Sequence, residues 1–309
     1  MQKYLSIILS LLIVVGAFLY VKNLKESAVL TTKKVENNIG SFTAQHSCAR
    51  QPNFLKKLRI NSPVAIDLSQ QKYKGLAFLY GQNMSESVHL KTWEKFDHFS
   101  TYALDPQGNM YLTPMPYISI KKKTFEFQKN IYRLDSNSGK LEVWMTLEDV
   151  HAGANNPYGL IALEYDCDDS SLWISAIDET NYEESKGVIY HIDIASKKIL
   201  QRVDGVDALS LRLIKSDKGK FLLVGMAKEG VLSAYPMVNQ KILLEPLKLW
   251  ELTESNERIR KITFYAKNSL KLQTIPFSYS LVALTQEGSI RKNRILTWDN
   301  VLKKFKLEQ

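Results

Sequence analysis

A chain of 309 residues is long enough for two domains by length alone, so the domain count has to come from pattern and not from size. Lys and Arg outnumber Asp and Glu by 41 to 32, a formal charge of +9, which admits anionic partners such as lipid headgroups or nucleic acid. No Arg-rich groove and no nucleic-acid motif accompanies the charge, so nucleic acid is not an expected partner; lysines on hairpin turns instead keep strand edges solvated and unpaired.

The chain opens on an apolar run, Leu5 to Val21, broken only by Ser6, Ser10 and Gly16. Its length lies between a signal-peptide core and a membrane-spanning helix, and residues 1–21 are expected to form a hydrophobic helix that serves as a membrane anchor or signal peptide. Lys3 precedes the run and Lys22 and Lys25 follow it, so flanking charge does not set an orientation. The body is expected outside the cytoplasm, periplasmic or extracellular, because propellers carried on one amino-terminal apolar segment are usually exported. Residues 22–55 are polar without sustained periodicity and read as a stalk, with a short helix near Phe54 to Leu58. Cys48 falls in that stalk and Cys167 in a later turn, which leaves two readings open: one bridge in an oxidising compartment, or two free thiols in a reducing one.

From residue 56 onward one device recurs: a strand, an Asp- or Gly-containing turn, and a return strand. Val64 to Asp67, Gly75 to Tyr80 and Val88 to Phe96 are the first candidates. Tyr102 to Leu104 then turns at Asp105-Pro106-Gln107-Gly108 into Met110 to Leu112, and Ile131 to Leu134 turns at Asp135 to Gly139 into Leu141 to Leu147. Leu160 to Tyr165, Leu172 to Ser175, Gly187 to Ile194 and Ile199 to Val203 make the clearest unit, and Leu209 to Ile214 with Phe221 to Gly225 begins the next. Asp, Asn and Gly tolerate the conformations that reverse a hairpin. Asp166 and Ser216 lie about fifty residues apart, the period of a four-stranded propeller blade. Blade starts near Ser62, Phe99, Tyr158, Asp207 and Arg258 predict an all-β propeller of five four-stranded blades over 56–309, or six if Thr113 to Asn130 holds another unit. Ile262 to Tyr265 and Leu281 to Leu284 belong to the last unit, and Arg294 to Trp298 with Val301 to Leu307 are available to close the ring on the first strand.

The blade openings carry short motifs. Asn61-Ser62-Pro63-Val64, Lys95-Phe96-Asp97-His98, Pro157-Tyr158-Gly159-Leu160 and Val206-Asp207-Ala208-Leu209 follow one another in that order. In order and spacing they resemble the blade openings of the senescence-marker-protein, gluconolactonase and strictosidine-synthase-like superfamily of calcium-dependent propellers, over most of residues 61–225. The resemblance implies a tunnel-mouth site built from Asn61, Asp97, His98, Asn155, Asn156, Tyr158 and Asp207. It also implies calcium held by a glutamate, an asparagine and an aspartate at these openings. Here those positions are Asn61, Tyr158 and Asp207, so Asp207 alone is left as a metal ligand, and a hard cation that wants six to eight oxygens is poorly served.

Outside the motifs, Asp166, Asp168 and Asp169 lack the glycine and distal glutamate of a calcium loop and read as a solvated hairpin turn. His46, His89, His98, His151 and His191 show no metal-ligand spacing, and His191, inside an alternating strand, reads as a surface cross-strand partner. The expected function is therefore a membrane-anchored or exported propeller acting as a non-enzymatic binding or scaffold module without a cofactor. Its partner would be a protein or small molecule on the propeller face, with the membrane engaged through residues 5–21. The alternatives are a calcium-dependent lactonase or esterase-type hydrolase, and a metal-free small-molecule binder.

Overall fold

The computed structural model describes residues 38–44, 47–69, 71–96, 98–115, 125–153, 156–181, 183–254, 256–279 and 291–308. Strand β1 (Phe42–Ala44) and helix α1 (Phe54–Lys57) precede the repeating part. Blade I is β2 (Ala65–Asp67), β3 (Ala77–Tyr80) and β4 (Glu86–Val88); blade II is β5 (Phe99–Leu104), β6 (Met110–Pro114), β7 (Asn130–Leu134) and β8 (Leu141–Thr146). Blade III is β9 (Leu160–Asp166), β10 (Ser171–Ala176), β11 (Val188–Asp193) and β12 (Ile199–Asp204). Blade IV is β13 (Ala208–Ser216), β14 (Gly219–Met226) and β15 (Val231–Val238), whose outer edge pairs with β16 (Lys241–Ile242) and β17 (Leu247–Glu251). Blade V is β18 (Glu257–Ala266), β19 (Ser269–Pro276), β20 (Lys292–Asp299) and β21 (Lys304–Leu307). Every pairing is antiparallel between neighbours, and the fold is an all-β propeller of five blades, not six.

Burial on both faces explains why the inner strands read as unbroken apolar runs. Side chains alternate across a strand, so β14 sends Leu222 and Val224 into the core shared with blade III and Phe221 and Leu223 into the core shared with blade V. Strand β10 divides likewise, Trp173 toward blade IV and Leu172 and Ile174 toward blade II. A slip of one residue would exchange the two cores, so register is fixed by both neighbours at once.

The Asp turns work as the sequence suggests, by a carboxylate accepting backbone N–H groups just ahead of it. Asp105 Oδ1 takes the Gln107 N–H at 2.8 Å, Asp135 Oδ1 that of Ser138 at 2.9 Å, and Asp193 Oδ1 that of Ser196 at 2.7 Å.

Three expectations change. Residues 91–96 form a 3-10 helix instead of extending a strand, because Trp93 is buried between blades I and II, its indole N–H donating to the Gly139 carbonyl at 2.9 Å. Strands β20 and β21 complete blade V and do not pair with blade I. His191 is fully buried, stacked on its cross-strand partner Trp173 with ring centroids 4.0 Å apart. The expected hydrophobic helix and the strand at Leu281 to Leu284 lie outside the described residues. Among the described residues no helix is long and apolar enough to cross a membrane.

What ties the ends of the ring is the segment from residue 38 to residue 60, part of which the sequence suggested as stalk. It runs along the lower face, the end at which the inner strands β5, β9, β13 and β18 finish. Ile39 and Phe42 join the core between blades IV and V, and Phe42 meets Phe264 and Phe305 edge-on at 5.7 and 5.9 Å. Phe42 and Asn268 exchange hydrogen bonds at the turn of blade V, and Asp217 at the turn of blade IV donates its N–H to the Ser41 carbonyl. Cys48 is disulfide-bonded to Cys167 in the turn of blade III, with a Cα separation of 5.9 Å. Arg50 then bonds to the Asp105 carbonyl of blade II, and Phe54 and Leu55 plug the core between blades I and II.

Candidate functional site

Adjacent blades meet at their inner strands without a continuous backbone ladder, and side-chain hydroxyls bridge the gap. Ser100 and Thr113 of blade II both donate to the Ile161 carbonyl of blade III, at 2.9 and 3.3 Å. Ser175 of blade III donates to Ala208 O of blade IV at 2.8 Å, and Ser210 of blade IV to Ile259 O of blade V at 2.8 Å.

Each of these inner strands breaks register near its upper end. The breaks fall between Phe99 and Thr101 in β5, opposite Ala162 and Leu160 in β9, between Ala208 and Ser210 in β13, and between Ile259 and Lys261 in β18. The extra residues are Ser100, Ile161, Leu209 and Arg260. An extra residue in one strand bends it and re-aims its side chain. Ser100 and Arg260 meet through these bulges, while Ile161 and Leu209 are buried in the core shared by blades III and IV.

Of these residues only Arg260 is charged. Its Nη1 donates to the Leu209 carbonyl at 3.2 Å, and its Nη2 to the Ser100 hydroxyl. Blades V and II are not neighbours in chain order, so this contact joins two inner strands that no backbone ladder links. Arg260 lies deep in the ring yet stays partly open to solvent. Burial lowers its guanidinium to about 10, with Tyr158 opposing the shift and Arg291 adding to it, and it stays charged at neutral pH. Burial likewise pushes the Tyr158 hydroxyl up to about 12 against the pull of Arg260, so the phenol is neutral. Below the bulges, Lys261 is held low by burial and then by Arg260, Arg212 and Arg291. Glu164, held high by burial, faces Arg212 at 3.3 Å. Among the described residues no carboxylate pairs with Arg260. The inner strands β5, β9, β13 and β18 carry Arg212, Lys215, Arg258, Arg260 and Lys261 against Glu164, Asp166 and Glu257, an excess of positive charge.

The sequence-predicted residues are placed differently. Asn156 is buried; its Nδ2 donates to the carbonyls of Ile177 and Thr180 at 2.8 and 2.9 Å, and its Oδ1 accepts the Tyr158 N–H at 3.1 Å. Asp207 is buried too, its Oδ1 accepting the Gly187 N–H at 2.8 Å and the Thr180 hydroxyl. Its Oδ2 is buried and finds no hydrogen-bond partner among the described residues. Asn156, Tyr158 and Asp207 thus converge through Thr180, which the sequence reading missed. That network pins the loop from Ile177 to Gly187. Asn61 is exposed ahead of β2, and His98 is half-buried ahead of β5, its carbonyl accepting from Met115 at 2.9 Å. Asp97 and Asn155 lie outside the described residues.

Among the described residues these donors make a poor calcium set, with Asp207 Oδ2 the one carboxylate oxygen of the group left without a partner. The Asn156 amide oxygen and Asp207 Oδ1 are already engaged, the Tyr158 phenol is neutral and buried, and among the described residues no group of three His, Cys, Asp or Glu side chains could hold a metal ion. The acidic turn is not a site either: Lys215 and Lys220 pair with Asp168 at 2.7 and 2.8 Å, and Lys220 also pairs with the buried Asp166. Ser171, His191 and Asp169 have the composition of a hydrolytic triad without its wiring. Both Ser171 Oγ, at 2.7 Å, and Asp169 Oδ2, at 3.4 Å, meet the same imidazole nitrogen, Nε2, and Ser171 and His191 are closed to solvent.

No protein-family model matches the sequence, and no curated protein matches it significantly. Among solved structures, a protein of unknown function from Bacteroides caccae aligns with a TM-score of 0.42 and 10% identity over 75% of this chain and 73% of that one. A glucose dehydrogenase aligns at 0.40 and 14% over 68% and 72%, and the PQQ-bound form of an aldose sugar dehydrogenase from Streptomyces coelicolor at 0.38 and 10% over 82% of each. At such scores nothing about site or activity passes to this chain; the propeller rests on its own strand order.

Proposed function

We propose that this chain is a non-enzymatic binding propeller, exported or membrane-anchored through residues 5–21, whose tunnel takes a small anionic ligand on Arg260. The observation that supports this reading is a guanidinium inside the ring, bonded only to neutral oxygens, with further cations below it and no carboxylate partner among the described residues. A largely enclosed cation without a counter-ion among the described residues is costly, and a planar guanidinium suits a carboxylate or phosphate arriving in that place. The resemblance to gluconolactonase-like propellers enters only through the motifs at the blade openings, because the donors described there do not suit their metal.

The test is calorimetric titration of citrate and of inorganic phosphate into the wild-type chain and into Arg260→Gln, which keeps a donor for Leu209 and Ser100 but not the charge. Loss of a charge-assisted contact should weaken binding of one of these anions about tenfold or more, while the melting temperature shows that the variant is folded. Absence of binding by the wild type, or equal binding by the variant, would sink the reading. A calcium-dependent rise in melting temperature, together with lactone or ester turnover, would move the protein to the hydrolase class instead.

A further inference from the structure

The lower tip of blade V carries two adjacent apolar side chains in water. In the turn between β20 and β21, Val301 is 88% exposed and Leu302 52% exposed. They are held there: Asp299 Oδ1 accepts the N–H groups of both, at 2.8 and 2.9 Å, while Asp299 Oδ2 pairs with Lys306 at 2.6 Å. Lys303 and Lys304 follow directly and are exposed, as are Lys267 in the neighbouring turn and Lys218 in the turn of blade IV. Isolated apolar side chains on a surface need no explanation. An apolar pair with lysines in its own turn and in the lower turns beside it, where Asp217, next to Lys218, is the one exposed acid among the described residues, is a different case, because apolar residues backed by basic ones suit an interface of headgroups and acyl chains.

The path of the chain says which surface lies opposite. Asn300 donates to the Ser41 hydroxyl at 2.8 Å, and Ser41 lies close to Asn38, where the described chain begins. Residues 22–37, the only link between the apolar run and this rim, span no more than roughly 55 Å even when fully extended. A bilayer holding Leu5 to Val21 would by chain connectivity alone keep the body within that reach of its surface.

We infer that the lower rim of blades IV and V, with Val301 and Leu302 as the inserted pair and Lys218, Lys267, Lys303 and Lys304 around them, docks on an anionic lipid bilayer. This rests on Leu5 to Val21 being an uncleaved membrane segment, and the docked propeller turns its upper face, with the Arg260 end of the tunnel, away from the lipid.

Cys48 and Cys167 are bonded to each other, so Val301→Cys gives the full chain a single labelling site for the environment-sensitive dye NBD. Phe127→Cys is the control, 40% exposed on the upper side of blade II. The labelled chains are reconstituted into phosphatidylcholine vesicles with and without phosphatidylglycerol. The dye at 301 should brighten several-fold and shift to the blue with phosphatidylglycerol, and should lose most of that gain in Lys303→Glu/Lys304→Glu; the dye at 127 should not respond. Water-like emission at 301 on the anionic vesicles, an equal response at 127, or brightening only when a soluble protein is added would each overturn the docking surface. Flotation of the vesicles separates the two claims: a chain that floats with residue 301 in water has lost the docking surface alone, and one that does not float has lost the anchor with it.

Discussion

Asp207 is a carboxylate whose two oxygens live differently. Oδ1 holds the Gly187 N–H and the Thr180 hydroxyl, while Oδ2 is buried with no hydrogen-bond partner among the described residues. An acceptor that keeps two donors of a long loop satisfied is expensive to delete, because each buried donor left alone costs about 1–3 kcal/mol. Asp207→Ala is therefore expected to destabilise the fold by about 2–4 kcal/mol in urea melts. Asp207→Asn keeps the Oδ1 acceptor but puts an amide NH2 where Oδ2 has no partner, so it should cost less than Ala, about 1–3 kcal/mol. Neither should change anion affinity, since Asp207 is not among the groups that act on Arg260. Equal cost for Ala and Asn would show that charge, not the acceptor, is what the site uses. The position was legible in the sequence as a blade opening; its role was not, because its partner Thr180 lies on a loop that no motif marks.

At the scale of elements, the lower-face segment does the closing that terminal strands were expected to do. It touches the turns of blades V, IV, III and II in succession and ends in the core of blades I and II, so it crosses every boundary between them. The disulfide fixes it midway and closes a loop of sequence separation 119. A crosslink over a loop of that length typically stabilises by about 2–4 kcal/mol, largely by restricting the unfolded chain. Cys48→Ser/Cys167→Ser should lose that amount in urea melts and, since Phe42, Phe54 and Leu55 remain buried, still fold as a propeller by circular dichroism. A double variant as stable as wild type would mean that the strap is held by its apolar anchors alone. What the sequence shows of these elements follows from physics. Asp turns such as Asp105 and Asp135 are visible because the side chain itself makes the turn. The bulges are invisible because Ser100, Ile161, Leu209 and Arg260 share no chemistry; a bulge is a relation between two strands, and one strand does not display it. The strap hides for a similar reason, its few anchors Ile39, Phe42, Phe54 and Leu55 being spread through polar sequence. An arginine inside the apolar opening of a blade, between Ile259 and Ile262, was the one available sign of the tunnel site.

Over the whole molecule, the ring is held partly by carboxylates that must stay ionised, which gives its stability a direction with pH. Burial raises Glu257, but hydrogen bonds from Lys292, Arg294 and Thr274 outweigh it and bring the carboxyl down from 4.5 to about 2. Asp168 is brought from 3.8 to about 2 by Lys215 and Lys220 against the same opposition from burial. A carboxylate with a depressed folded-state value contributes stability that is complete above its unfolded value and is lost as pH falls through the folded one. For these two the window runs from about 4.5 down to about 2. Asp178 and Glu164 are shifted the other way, first by burial, so the cost of their charge is relieved as pH falls toward their unfolded values, above the window in which Glu257 and Asp168 lose theirs. Glu257 weighs most, because it is nearly closed to solvent and bonds Lys292, Arg294 and Thr274 of blade V at once, so its protonation removes one ionic partner from the half-buried Arg294 and from the exposed Lys292. The melting temperature should be flat between pH 7 and 5 and fall steadily below about 4.5. Glu257→Gln should start about 2 kcal/mol lower at pH 7 and show a shallower fall, because the group whose protonation drives the loss is already neutral. Parallel curves for the two proteins would place the acid sensitivity elsewhere, with the Asp168 pairs across blades III and IV the next to test by Asp168→Asn.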